Sequence, residues 1–137
     1  MEEFFLNREL SIELKNLGLN EPCFAFYEGE VLNKSMVDKK IQEENNEDNY
    51  FVLAPTTSQA LSFFRKKYGL YTHIAPEFYT TQINFNWQIL WYIPKQLWTR
   101  FRVSGGTFMY GDNGEYPTYE EAEIACIKKM IEISKNK

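Results

Sequence analysis

The side chains with the most potential for covalent chemistry are one histidine, His73, and two cysteines, Cys23 and Cys126. A histidine can activate a thiol as a nucleophile, so a small hydrolase using His73 and Cys126 is one hypothesis. No nucleophile motif surrounds either residue, and a single histidine rules out a metal site built from several histidines of one chain. We therefore predict that His73 is an ordinary strand residue, that both cysteines are buried free thiols, and that the protein is not an enzyme.

Acidic residues cluster in two places, and neither place has the spacing of a metal site or an acid–base pair. The run at 43–49 lacks the alternating ligands and the central glycine of an EF-hand loop, which predicts a solvated connection. Glu120, Glu121 and Glu123 stand where a helix is predicted to begin, and carboxylates there complement the helix dipole. Since a glycine-rich phosphate loop is also missing from the sequence, no metal and no cofactor is predicted.

The strongest chemical signal comes from basic residues close to aromatic ones. These basic residues are Arg65, Lys66, Lys67, Arg100 and Arg102. Cations beside aromatic rings can hold the phosphates and stack on the bases of a single-stranded nucleic acid or a nucleotide. A net charge of −4 and a pI near 5.1 disfavour general binding to polyanions. Binding of nucleic acid or a nucleotide by this basic-aromatic set is therefore the alternative function.

Apolar residues occupy every second position of the segment 83–93, and polar residues separate them over its first half. This alternation predicts a half-buried strand with Trp91 on its core side. Leu90 and Tyr92 fall on the opposite side of the strand, where they indicate a second covered or adhesive surface. We therefore predict that the aromatic strand around Trp91 and Tyr92 binds a protein partner.

Local signals predict three helices. Thr56 and Gln59 form a capping box before an amphipathic stretch that ends at Gly69. An earlier helix is predicted over about 7–17, and a last helix is predicted to begin at Thr118. The last helix has such a wide apolar stripe that either the first helix packs beside it or the protein self-associates through it.

Strands are predicted at 23–28, 70–75, 83–93, 97–104 and 107–110. Pro76 is predicted to end the second of these strands, and the glycine-rich residues 111–114 are predicted to form a turn. Together the elements predict an α+β protein with an antiparallel sheet of about four strands, about three helices, and the C-terminal helix packed on the sheet. One domain is predicted for residues 1–137, with a polar acidic loop around 29–49.

Composition and apolar-run length predict whether the chain folds and where in the cell it is located. Hydrophobic residues make up 44% and aromatic residues 17% of the sequence, which argues against disorder. The sequence has neither a basic start followed by an apolar segment nor an apolar run approaching the length of a membrane span. The prediction is a folded cytoplasmic protein that does not bind membranes.

Three segments of the chain, Glu21–Phe24, Gln59–Leu70 and Tyr116–Ile133, carry a recognisable pattern. In this pattern the chain resembles a family of small proteins of unknown function from gut Bacteroides-type bacteria and their phages or mobile elements. It departs from the family at residues 61–62 and in a longer stretch, rich in Trp and Gly, at 81–114. The resemblance implies a mobile-element setting and no activity.

The sequence therefore predicts a non-catalytic interaction protein, an accessory or host-interference factor of a phage or mobile element. Its partner is predicted to be another protein or a second copy of the chain. The contact surface is predicted to be the aromatic sheet face or the wide C-terminal helix.

Overall fold

The computed structural model describes residues 5–35, 49–78, 81–92 and 107–136, and at 91–92 and 107–115 it describes the backbone alone. Over these ranges the helices are α1 (Arg8–Asn16), α2 (Thr57–Tyr68) and α3 (Tyr119–Lys135). The strands are β1 (Phe26–Glu28), β2 (Val31–Asn33), β3 (Phe51–Leu53), β4 (Leu70–Phe78), β5 (Ile83–Tyr92) and β6 (Thr107–Tyr116). They group into two compact units, residues 1–60 with 133–137 and residues 61–132. One domain for the whole chain stays a prediction.

In the first unit, α1 begins and ends at local signals. The Asn7 side chain accepts a hydrogen bond from the backbone N–H of Leu10 at 2.9 Å. At the other end Gly18 adopts a φ of 106°, and the N–H of Leu19 donates to the carbonyl of Leu14 at 2.9 Å. This is the Schellman arrangement, which satisfies carbonyls that the helix itself leaves unpaired.

The first unit also contains an antiparallel sheet in the order β2-β1-β3. Gly29, with a φ of 62°, makes the turn between β1 and β2. Lys15 in α1 donates to the Asn49 side chain at 2.7 Å, which fastens the helix near the start of β3. The buried apolar residues described in this unit include Leu6, Leu10, Leu14, Leu19, Cys23, Ala25, Val52, Leu53, Ala54 and Ala60.

The start of α2 has the predicted capping box. The backbone N–H of Gln59 donates to Oγ1 of Thr56 at 3.1 Å, and the backbone N–H of Thr56 donates to Oε1 of Gln59 at 3.0 Å. Nε2 of Gln59 also donates to the Pro22 carbonyl at 2.9 Å. Gly69 follows the helix with a φ of 66°, so both predicted ends of α2 are confirmed.

The second unit contains an antiparallel sheet in the order β4-β5-β6. Its β4–β5 ladder runs from the pair Leu70 and Trp91 to the pair Phe78 and Ile83. The C-terminal helix α3 packs on the strands, and its cap is the predicted one, since Thr118 Oγ1 accepts from the Glu121 N–H at 3.1 Å. The buried apolar residues here are Phe64, Leu70, Trp87, Ile89, Ala122, Cys126, Ile127, Met130 and Ile131.

The α+β class and the packing of the C-terminal helix on the sheet are confirmed, and the described strands are divided between two sheets of three strands each. Pro76 does not end β4, which continues to Phe78. Proline is tolerated there because β4 is an edge strand of the β4-β5-β6 sheet and need not donate on both sides.

Residues 111–114 do not form a turn but lie within β6. The ladder pairs Phe85 with Tyr116 and Trp87 with Asp112. One residue lies between these positions in β5 and three lie between them in β6, so β6 carries two extra residues in a bulge. The strand predicted at 23–28 is shorter, as β1, and β2 occupies part of the predicted loop at 29–49. The acidic residues 43–48 and the strand predicted at 97–104 lie outside the described residues.

Candidate protein-docking surface

Exposed apolar side chains adjoin one another at one end of the β4–β5 ladder. Phe78 is 75% exposed, Ile83 is 50% exposed, and the two residues are directly opposite in the antiparallel register. The next pair on the same face is Pro76 and Phe85, because alternate residues of a strand share a face. The Phe85 ring meets the Tyr119 ring edge-on, with centroids 6.0 Å apart, and Tyr119 is 43% exposed. We call these five residues the tip patch.

The alternation of β5 explains why the tip patch is apolar and open. Ile89 and Trp87 are buried, Phe85 is half-buried, and Ile83 is exposed, so burial decreases along one face of the strand toward its beginning. Helix α3 begins at Tyr119, in contact with Phe85. The strands therefore continue past the start of α3, and the pair Phe78 and Ile83 lies beyond the contact between Phe85 and Tyr119.

The tip patch has carboxylates at its border. Glu120 and Glu121 follow Tyr119 in the first turn of α3, and both are exposed. Burial, and after it the Glu123 carboxylate, raises the pKa of the Tyr119 phenol above its ordinary value. A negative environment thus adjoins the tip patch on its α3 side.

The opposite face of the same ladder is polar along most of its length, with exposed Tyr71 opposite Leu90 at its far end. His73 lies opposite Gln88 and is exposed, and Nδ2 of Asn86 donates to the Glu77 carboxylate across the strands. Cys126 is fully buried on α3, where burial and then the Glu123 carboxylate raise its pKa to about 12. His73 is therefore exposed on a strand while the Cys126 thiol is closed off from solvent, an arrangement unlike that of an accessible nucleophilic pair.

The two predicted protein-binding residues, Trp91 and Tyr92, lie at the end of β5. In the ladder Trp91 is opposite Leu70 and Phe108, and Tyr92 is opposite Thr107. Their side chains lie outside the described part of the chain, so their role in binding stays a prediction.

The predicted basic set is described only in part. Arg65, Lys66 and Lys67 are exposed in the last turn of α2, and the Lys67 ammonium lies 5.7 Å from the Phe63 ring centroid and 5.5 Å from that of Tyr68. This is a cation–π arrangement. Arg100 and Arg102 lie outside the described residues.

The wide stripe of α3 is covered within a single chain. Its members Ala122, Cys126, Ile127 and Met130 are fully buried. In the first unit, Nζ of Lys135 at the end of α3 lies 2.6 Å from Oε2 of Glu13 in α1. The stripe therefore offers no open apolar surface at these positions. The tip patch, whose apolar side chains are exposed, is the better candidate for a docking surface.

The sequence did not single out Phe78, Ile83 and Tyr119. Phe78 lies beyond Pro76, the predicted strand end, although the alternation of Ile74, Pro76 and Phe78 is the signal that puts it on the apolar face. Tyr119 directly follows Thr118, the predicted start of the last helix, and no local signal marks it as part of a binding surface.

Among the described residues, no group of three His, Cys, Asp or Glu side chains is arranged to hold a metal ion. Within the same ranges, no helix has the length and apolar character needed to cross a membrane. Comparisons with protein-family models, curated proteins and solved structures find no match to this chain.

Proposed function

We propose that this chain is a non-catalytic protein-binding module of the cytoplasm and that the tip patch is its docking surface. The observation that carries the proposal is the continuity of exposed Phe78 and Ile83 with the Phe85–Tyr119 ring pair. Single exposed apolar residues are ordinary on protein surfaces, whereas adjoining ones with a polar border are typical of interaction sites. Aromatic residues are also enriched at the centres of interfaces.

The backbone beneath the tip patch favours binding because it is ordered before a partner arrives. Four of the five patch residues lie on paired strands, and the fifth is the first residue of α3. A surface that is already ordered loses less conformational entropy on association than a loop does. Burying Phe78, Ile83 and Tyr119 therefore contributes more to affinity here than it would on a loop that must first be ordered.

Two further features support the setting of the proposal. Cys23 and Cys126 are free thiols, as is usual in the reducing cytoplasm. The resemblance to proteins of phages and mobile elements supports a role as an accessory or host-interference factor, in which the partner is a protein of the bacterial host.

The test is photo-crosslinking inside the source bacterium. The photoreactive phenylalanine analogue p-benzoylphenylalanine replaces Phe78 in one version of the full chain and Phe24 in another. Phe24 is the matched control because it is an exposed phenylalanine outside the tip patch. We expect a discrete adduct with a second protein from position 78 and none from position 24. The purified second protein should then bind the wild-type chain more tightly than the variant Phe78→Thr/Ile83→Thr.

Equal adducts from both positions, or no adduct from position 78, would overturn the proposal. So would a purified adduct partner that binds the wild-type chain and the Phe78→Thr/Ile83→Thr variant with the same affinity. Both substitutions keep a residue of high β propensity at an exposed strand position, so they preserve the fold on which the comparison depends.

A second candidate function is binding of single-stranded nucleic acid or a nucleotide. The observation that favours it is the exposure of three consecutive cations, Arg65, Lys66 and Lys67, just before Tyr71 and His73, which are exposed on β4. Phosphate contacts weaken as salt rises, so binding to an oligonucleotide panel should be strongest at low salt and reduced in Arg65→Gln/Lys66→Gln. No binding at low salt rejects this candidate.

A further inference from the structure

Charge is distributed very unevenly around the tip patch. Residues 69–92 and 107–127, which include β4, β5, β6 and the first half of α3, contain six acidic residues and no lysine or arginine. The acidic residues are Glu77, Asp112, Glu115, Glu120, Glu121 and Glu123. The sheet and the beginning of the helix that packs on it therefore carry only negative formal charges.

Two of these carboxylates adjoin a member of the tip patch. Glu120 and Glu121 follow Tyr119 in the exposed first turn of α3, whereas Glu77 lies on the opposite face of the ladder from Phe78. The nearest lysine along α3 is Lys128, more than two turns beyond Tyr119. A cation of a docked partner would therefore meet the carboxylates of Glu120 and Glu121 on the α3 side of the tip patch.

We infer that the partner of the tip patch is a protein segment in which apolar side chains adjoin lysine or arginine. This inference rests on the proposed function and adds the chemistry of the partner to it. The apolar side chains of the segment cover Phe78, Ile83 and Tyr119, and its cations lie beside the carboxylates at the border. Charge complementarity of this kind increases the rate of association and suppresses wrong partners.

The same distribution disfavours the other possible occupants. A second copy docked through a two-fold axis would bring the same acidic border against itself, and like charges repel. Nucleic acid and anionic membranes are disfavoured because their phosphates would face carboxylates. Addition of a strand to the edge of β4 is limited by Pro76, which has no N–H to donate. Recognition therefore depends on side chains of the partner.

The experiment is a selection from fragments of the source genome displayed on phage, with the full wild-type chain as bait. A parallel selection uses Phe78→Thr/Ile83→Thr, and fragments enriched by both baits are discarded. The retained fragments are synthesised, and their dissociation constants are measured at low and high salt. We expect two or more apolar residues beside lysine or arginine in most of them.

Neutralising the border tests the charge directly. Glu120→Gln/Glu121→Gln should weaken binding of these peptides by about 3- to 10-fold at low salt, because each exposed charge contributes modestly, and the difference should shrink at high salt. Glu9→Gln is the matched control, since Glu9 is an exposed carboxylate in the first turn of α1. Its affinity should equal that of the wild-type chain.

The outcomes distinguish the inference about the partner's chemistry from the proposed function of the tip patch as a docking surface. Peptides that require Phe78 and Ile83 but show no excess of lysine and arginine, and bind Glu120→Gln/Glu121→Gln normally, overturn the inference and leave the proposed function intact. If no retained peptide requires Phe78 and Ile83, the proposed function fails. Binding of phosphatidylglycerol vesicles, or dimerisation of the wild-type chain that is lost in Phe78→Thr/Ile83→Thr, also overturns the inference.

Discussion

The double substitution Phe78→Thr/Ile83→Thr should change stability little, because both side chains are already in contact with water. Phe78 is 75% exposed and Ile83 is 50% exposed. Complete burial of such a side chain is worth about 1.5–3 kcal/mol, so the buried fractions contribute about 0.5 kcal/mol for Phe78 and about 1 kcal/mol for Ile83. Their cross-strand contact adds up to about 1 kcal/mol. The expected loss in the free energy of unfolding is therefore about 1–2.5 kcal/mol.

Urea denaturation followed by far-UV circular dichroism measures this loss. Two reference variants serve for comparison, one altered at exposed residues and one altered in the core. Phe24→Thr/Val31→Thr removes a phenylalanine and a β-branched residue that are 59% and 62% exposed outside the tip patch, and it should cost a similarly small amount. Phe64→Ala removes a fully buried ring from the second unit and should cost about 3–5 kcal/mol.

A loss for Phe78→Thr/Ile83→Thr as large as that for Phe64→Ala would refute the reasoning. It would mean that the two residues belong to the core and that their apolar character is explained by folding. A loss of about 1–2.5 kcal/mol would mean that folding accounts for only the buried fraction of these side chains, as a docking surface requires.

Three other changes test the local structure. Thr56→Ala should lower the free energy of unfolding by about 1 kcal/mol, and Gln59→Ala should lower it at least as much because its side chain makes two hydrogen bonds. A larger loss for Thr56→Ala than for Gln59→Ala in urea denaturation would contradict the observed cap. Gly69→Ala should cost about 1 kcal/mol from its φ of 66° alone, since an added Cβ meets nothing within 4 Å, and Gly69→Asn should cost less by the same measurement. Burial raises the pKa of Cys23 and Cys126 from 9.0 to about 12. Between these pH values the folded state binds more protons than the unfolded state, so the free energy of unfolding falls as pH rises through them. Urea denaturation at pH 8 and pH 10.5 should show a smaller fall in Cys126→Ala than in the wild-type chain.

Helix ends could be predicted from the sequence because their signals are local. The caps at Asn7, Thr56 and Thr118 each use a side chain and a backbone N–H three residues apart. The ends at Gly18 and Gly69 need only a residue that tolerates positive φ. No distant part of the chain decides these features.

Strand pairing depends on distant residues, and there the sequence was less informative. Nothing local shows that β1 pairs with β3, which lies more than twenty residues further along, to form a sheet separate from β4-β5-β6. Residues 111–114 have turn-forming composition, but pairing with β5 on either side turns them into a bulge. Pro76 is compatible with a strand only because β4 is at an edge.

The candidate surface was only partly accessible to sequence reasoning for the same reason. Alternation along β5 showed that apolar side chains share a face. It did not show that burial along this face decreases from Ile89 to Ile83, or that α3 begins beside Phe85. The apolar stripe of α3 left two alternatives open, packing within the chain or self-association, and Ala122, Cys126 and Met130 on this stripe are fully buried in the single chain.

The most direct test of the docking surface is calorimetric titration of the partner found by crosslinking from position 78 against three chains: wild type, Phe78→Thr/Ile83→Thr and Phe24→Thr/Val31→Thr. Covering the exposed fractions of Phe78 and Ile83 is worth about 2–4 kcal/mol, which corresponds to a loss of affinity of about 30- to 700-fold in the first variant. The second variant should bind like the wild-type chain. Equal affinity of all three chains would contradict the assignment of the tip patch as the docking surface.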